Sequence, residues 1–151
     1  MSKKMWMVRA GRNAFLAQEF EEKGYVALGW NEIGDLTLIK SPKELPKLHE
    51  EAYGKEKIGK QRMSLWQITR FRFEMKIGDR VITYYPEFRV YLVGEISSDY
   101  QYQKDSPGDH NHIREVNWLG RVKRDSLSVA TKNTIGAIMT LFLLRGQGGR
   151  P

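Results

Sequence analysis

The 151-residue chain contains no cysteine. Disulfides, thiolate metal ligands and cysteine nucleophiles are therefore excluded, and a reducing compartment, the cytoplasm, is the expected setting. No apolar run approaches the ~18–20 residues needed to span a bilayer, and the densest, Ile135 to Leu144, is too short. Met1-Ser2-Lys3-Lys4 has no long apolar stretch behind it, so no secretory signal and no membrane partner are expected. The glycine-rich phosphate loop and the Gly-x-Ser-x-Gly elbow are both missing.

Metal chemistry finds little material. His110-x-His112 beside Asp109 has no third clustered ligand. Glu21-x-Lys23 has the letters of a nuclease motif, but it ends a predicted helix and no aspartate precedes it. No nucleophile assembles with a base, so the chain reads as a non-enzyme with no catalytic residue, metal or cofactor.

What is present is positive charge. Lys and Arg number 25 against 18 Asp and Glu, a formal +7, and 40% of residues are apolar, enough for one core. The sign suits a polyanion, because each neutralised phosphate releases counterions. Lys55, Lys57, Lys60, Arg62, Arg70 and Arg72 form one cluster, opposed by Glu56, and Arg121, Lys123 and Arg124 form another.

Hydrophobic patterning orders the chain. Met5–Arg9 reads as a strand, and Asn13 as the cap of a helix over Ala14–Lys23 closed by Gly24. Tyr25–Leu28 is a strand followed by a loop. A helix over Pro42–Tyr53, interrupted at Pro46, leads through a polar connection (Gly54–Lys60) to another over Arg62–Glu74. Arg80–Tyr84 and Val90–Ile96 form a hairpin. Ser97–Asn111 is a polar loop and His112–Val122 a strand. Asp125 to Ser128 offers helix-cap chemistry, and Ile135, Ile138, Met139 and Phe142 then recur at helical spacing. Residues 1–145 form one α+β domain with a strongly curved sheet or small barrel. Residues 146–151 are expected to be a flexible tail or the start of a linker.

Aromatic residues carry the functional signal. Trp6 and Trp118 sit in strands and suit core packing. Trp30 follows Gly29 at a strand exit, a place where a ring serves either as a platform for a base or as a lid over the core.

Three segments together resemble a known family: Val8-Arg9-Ala10-Gly11, then Tyr25-Val26-Ala27-Leu28-Gly29-Trp30, then Met75-Lys76-Ile77-Gly78-Asp79-Arg80-Val81-Ile82-Thr83-Tyr84. Their order and spacing resemble the EVE and YTH branch of the PUA-like superfamily. The nearest likeness is to the N-terminal specificity domain of Mrr- and McrB-type modification-dependent restriction endonucleases. The resemblance implies a small β-barrel or curved sheet surrounded by helices that binds nucleic acid, DNA in preference to RNA. It implies a modified base flipped into an aromatic pocket, with cutting left to a fused or partner nuclease. By resemblance Trp30 matches the cage tryptophan, and Tyr84 and Tyr85 match the strand end beside the pocket. Tyr100 and Tyr102 stand where YTH proteins place further tryptophans; Arg9, Arg12 and Asn13, near the exit of the first strand, and Lys57, Lys60 and Arg62 are the expected grips on the nucleic-acid backbone. An RNA-binding PUA-like domain and a metal-dependent nuclease or other enzyme are the alternatives.

Overall fold

The computed structural model describes residues 4–126 and the backbone of 141–144. Strand β1 (Met5–Val8) alternates in burial, so Trp6 and Val8 face one core and Met7 the opposite side of the sheet. After a tight turn, α1 (Ala17–Lys23) and β2 (Tyr25–Leu28) follow. Gly24 joins them in the left-handed conformation (φ 75°) that closes a helix without a Cβ penalty.

Helices α2 (Leu45–Tyr53) and α3 (Ile58–Thr69) come next, and α3 ends in a π turn over Arg70–Glu74. The expected interruption at Pro46 does not occur. Pro46 lies in the first turn of α2, where its missing N–H breaks no helical bond. Helix α3 also starts earlier than expected, taking in Lys60 of the supposed polar connection.

Strands β3 (Arg80–Tyr85) and β4 (Val90–Ile96) form the expected hairpin. The polar loop after β4 is partly ordered. It holds the short strand β5 (Gln101–Tyr102) and a 3₁₀ turn over Pro107–Asp109. Strand β6 (His112–Lys123) pairs with β2 through His112–Glu115 and with β4 from Val116 onward. That change of partner curls the sheet. A bulge opposite Val93 and Gly94 adds to the bend.

The sheet order is β2-β6-β4-β3-β1-β7, with β5 beside β6. Strands β1 and β3 run parallel, so both leave the sheet at the same end. Strand β7 (Leu141–Leu144) pairs antiparallel with β1, Phe142 opposite Met7. Phe142 therefore lies in a strand and not in the expected helix, since a short continuous apolar run such as Leu-Phe-Leu-Leu suits a strand as well as a helix. The other members of that pattern, Ile135, Ile138 and Met139, lie outside the described residues, as does the 146–151 segment. The α+β class and the strongly curved sheet flanked by helices are as the sequence leads one to expect.

The main core fills the inside of the curl, where Trp6, Phe20, Leu45, Phe71 and Leu92 are almost fully buried. Each such side chain contributes about 1.5–3 kcal/mol. On the outer face Met7, Ile82 and Tyr91 are covered by Trp66 of α3. Trp6 and Trp118 take the structural places expected of them. The Trp6 indole N–H donates to Asp79 Oδ2 (2.9 Å) and that of Trp118 to the Phe20 carbonyl (2.8 Å).

Candidate nucleic-acid interface

The parallel pairing of β1 with β3 determines where the basic and aromatic residues meet. Past Val8 the chain reverses in a turn held by Ala14 N–H to Gly11 O (3.0 Å) and Leu16 N–H to Ala10 O (2.8 Å). Gly11, Asn13 and Ala14 all have positive φ (78°, 56° and 57°). Glycine takes this region freely and asparagine with little strain, which explains why the turn forms here. A Cβ at Gly11 would also collide with the Phe15 ring. Asn13 thus shapes a turn and does not cap a helix. Helix α1 begins three residues beyond Ala14, at Ala17, with no side-chain cap.

This turn and the end of β3 enclose an open cleft of about 790 Å³. Arg9, Arg12, Asn13, Tyr84, Pro86 and His110 line it. Partial burial draws the Arg9 guanidinium below its usual pKa, with Tyr91 opposing the shift. The Tyr84 ring rests on Tyr91 at a centroid separation of 4.9 Å, and Phe15 meets His110 edge-on at 6.1 Å. The cleft thus offers cations together with two rings, Tyr84 and His110, a combination suited to a phosphate-bearing aromatic ligand.

The other expected pocket residues are placed elsewhere. Tyr85 follows Tyr84 in a strand, so the pleat sends it to the opposite face. There it is 6% exposed, against Phe88 and near Arg121. Tyr85 and Tyr84 cannot share a pocket. Tyr100 is buried, and its hydroxyl is fully engaged, accepting from Leu36 N–H (3.1 Å) and facing His112 Nδ1 (2.6 Å). Tyr102 packs edge-on against His112 and accepts from Asn111 Nδ2 (3.3 Å).

Trp30 is half-buried against the main core and has left-handed backbone geometry (φ 58°). Its carbonyl accepts from His112 Nε2 (3.1 Å). Trp30, Tyr100 and Tyr102 therefore converge on His112, beside the cleft and not within its lining. The two regions are close, since a Cβ added at Gly29 would lie 3.8 Å from the His110 ring. Lys57, Lys60 and Arg62 are exposed at the start of α3, outside the cleft lining, and Lys60 pairs with Glu56 (3.3 Å).

His110 and His112, two residues apart in the sequence, take separate places in the structure. Among the described residues no group of His, Asp and Glu could hold a metal ion. One ring lines the cleft and the other is the hub of a buried network. The signal for that hub was the alternation His112, Arg114, Val116, Trp118, which puts two polar residues on an otherwise apolar strand face. Buried polar groups on such a face need partners. Among the described residues no helix is long and apolar enough to cross a membrane.

No curated protein matches the chain. Two solved structures are similar at a distance. One is described as the MmI1 YTH domain, with 10% identity over 88% of this chain and 74% of that one, at a TM-score of 0.39. The other is protein Atu2648 from Agrobacterium tumefaciens, with 13% identity over 97% of this chain and 88% of that one, at a TM-score of 0.40. A family model matches residues 6–145, nearly the whole chain, and the protein thus belongs to the domain family of unknown function DUF8426.

Proposed function

We infer that this domain is a nucleic-acid-binding module of PUA-like type that reads a single modified base, in DNA rather than RNA. It has no catalysis of its own, and a fused or partner nuclease does the cutting, as in modification-dependent restriction. One observation carries the reading: Arg9, Arg12 and Asn13 line the same cleft of about 790 Å³ as Tyr84. The volume lies in the range of small-ligand pockets, roughly 300–1,000 Å³, and accommodates a nucleobase with its sugar.

The energetics are consistent with flipping. Extruding a base costs a few kcal/mol, and stacking on an aromatic ring returns about 1–3 kcal/mol. In this reading Tyr84 is the stacking surface and His110 faces the base edge. Arg9 and Arg12 take the flanking phosphates. Trp30 acts from the adjoining strand exit, where His112 fixes its backbone.

The test is a set of binding isotherms at fixed salt, using labelled duplexes with modified or unmodified bases and an RNA of matched sequence. Arg12→Ala weakens all ligands together. Tyr84→Ala removes the preference for the modified base. Equal binding of modified and unmodified duplexes by the wild-type domain would defeat base reading, and preference for the RNA would overturn the DNA assignment.

A further inference from the structure

A second cleft, of about 630 Å³, lies at the other end of β3. It is lined by Lys76 and Ile77, which precede the strand, whereas the first is lined by Tyr84 and Pro86, where the strand ends. Six residues at ~3.3 Å each put roughly 20 Å between them. Arg72, Arg114, Lys76, Phe73, Tyr100 and Asp99 supply its chemistry.

Both arginines are held rigidly, and both by neutral acceptors. Arg72 donates from Nε to Leu36 O (2.8 Å) and from Nη2 to Thr37 O (3.1 Å) and Ile39 O (2.9 Å). Its guanidinium lies 4.6 Å from the Phe73 centroid and 5.2 Å from that of Tyr100. Arg114, only 3% exposed, donates to the carbonyls of Phe71, Arg72 and Ser98. Among the described residues neither arginine forms an ion pair.

Burial pushes the Arg114 pKa down to about 10. The like charge of Arg72 adds to that effect, and Asp99 and Asp79 oppose it. Asp79 is already engaged by Trp6 Nε1 and by the backbone N–H groups of Lys4 and Lys76. A guanidinium solvated by carbonyls keeps its charge uncompensated, which is costly in a partly buried place. Donors also remain. Arg72 Nη1 reaches no described acceptor, and Arg114 Nη1 reaches only Ser98 O.

The geometry points to a second binding site, in which Arg72, Arg114 and Lys76 take a phosphate monoester in this cleft. The open Arg72 Nη1, the one remaining N–H of Arg114 Nη1 and the Lys76 ammonium supply donors to this cleft for several oxygens of one anion. Asp99, on the cleft wall, limits the affinity. The monoester comes either from a free nucleotide or from the terminal phosphate of a nucleic-acid strand.

The experiment follows the arginine Nε–H signals by ¹⁵N NMR in the full chain at constant ionic strength. Inorganic phosphate, a nucleoside 5′-monophosphate, the bare nucleoside, and an oligonucleotide with and without a 5′-phosphate are added in turn. The Arg72 and Arg114 signals should shift saturably with inorganic phosphate and with at least one of the phosphate monoesters, and not with the nucleoside. Lys76→Glu should weaken binding about tenfold and Asp99→Asn should tighten it, neither touching the buried clasp. A shift with the monophosphate alone identifies the free nucleotide as the source, and a shift also with the 5′-phosphorylated strand identifies the strand end. Equal shifts with the unphosphorylated strand would overturn the monoester assignment, and so would signals unmoved by phosphate or insensitive to both substitutions. The inference is independent of base reading, because Tyr84→Ala and Arg12→Ala leave this cleft intact.

Discussion

His112 and Trp30 are joined by a hydrogen bond whose direction the Trp30 carbonyl fixes, because it can only accept. The imidazole proton therefore sits on Nε2 and is donated to the Trp30 carbonyl at 3.1 Å. In the neutral ring Nδ1 is then bare and accepts the proton of the Tyr100 hydroxyl, which itself accepts from Leu36 N–H. The neutral ring satisfies every partner, whereas a protonated ring would turn the Tyr100 bond round and leave the hydroxyl proton without its acceptor.

Stability is therefore expected to fall in mild acid. Burial lowers the His112 pKa, while the unfolded chain titrates near ~6.5. Between those two values the unfolded state binds the additional proton, so the contribution is complete above about pH 6.5 and is lost as the pH falls. Urea midpoints should decline from about pH 7.5 to about pH 5.5. His112→Phe should lower stability throughout and remove this part of the slope.

Adjacent tyrosines should behave oppositely. Tyr85 is buried in the core, and Tyr85→Ala should cost about 3 kcal/mol in urea unfolding. Tyr84 lines the cleft, and among the described residues Tyr91 is the one ring it packs on. Tyr84→Ala should cost about 1 kcal/mol yet abolish discrimination in the binding assay. Equal stability losses would show that the pleat assignment is wrong.

Asp79 ties the start of β3 to β1. Its carboxylate accepts from the Trp6 indole and from the amides of Lys4 and Lys76. Asp79→Ala leaves a fully buried indole N–H without an acceptor and should cost about 3 kcal/mol. Asp79→Asn should cost less, as it keeps one acceptor oxygen. Equilibrium unfolding of the two variants checks the order.

Gly94 sits at the bulge between β4 and β6. A Cβ there would lie 2.6 Å from Val116 Cγ1 and 2.8 Å from Asn117 O. The backbone oxygen cannot move aside cheaply, so Gly94→Ala should cost about 2 kcal/mol. A thermal midpoint within error of wild type would mean that β6 can slide at the bulge.

The strands β1 to β4 were legible because each is a short run of β-favouring residues bounded by glycine, proline or charge. The meeting of Arg9, Arg12, Asn13 and Tyr84 in one cleft was not legible, because it follows from the parallel pairing of β1 with β3, two strands some 75 residues apart. The cap at Asn13 was misread because the need for a left-handed turn competed with the helix signal. Phe142 was misread because an apolar run of four suits either periodicity. Tyr85 and Tyr100 were grouped with Tyr84 by resemblance, but strand alternation and a buried hydroxyl network separate them. The alternation along β6 marks His112 as a buried polar group in need of partners, but its partners Tyr100, Leu36 and Trp30 are distant in sequence and no local pattern identifies them.

The place of β1 in the sheet has a consequence during synthesis. Met5 is the first residue of the strand to be made, and its partner on β3 is Arg80, 75 positions later. At roughly 5–20 residues per second the ribosome needs about 4–15 s to supply it. Throughout that interval Met5-Trp6-Met7-Val8 is an apolar, β-prone segment with no neighbour, open to pairing with another nascent chain. Lys3 and Lys4 precede it and Arg9 follows it. In the growing chain these charges are gatekeepers that keep the segment solvated until its partner emerges.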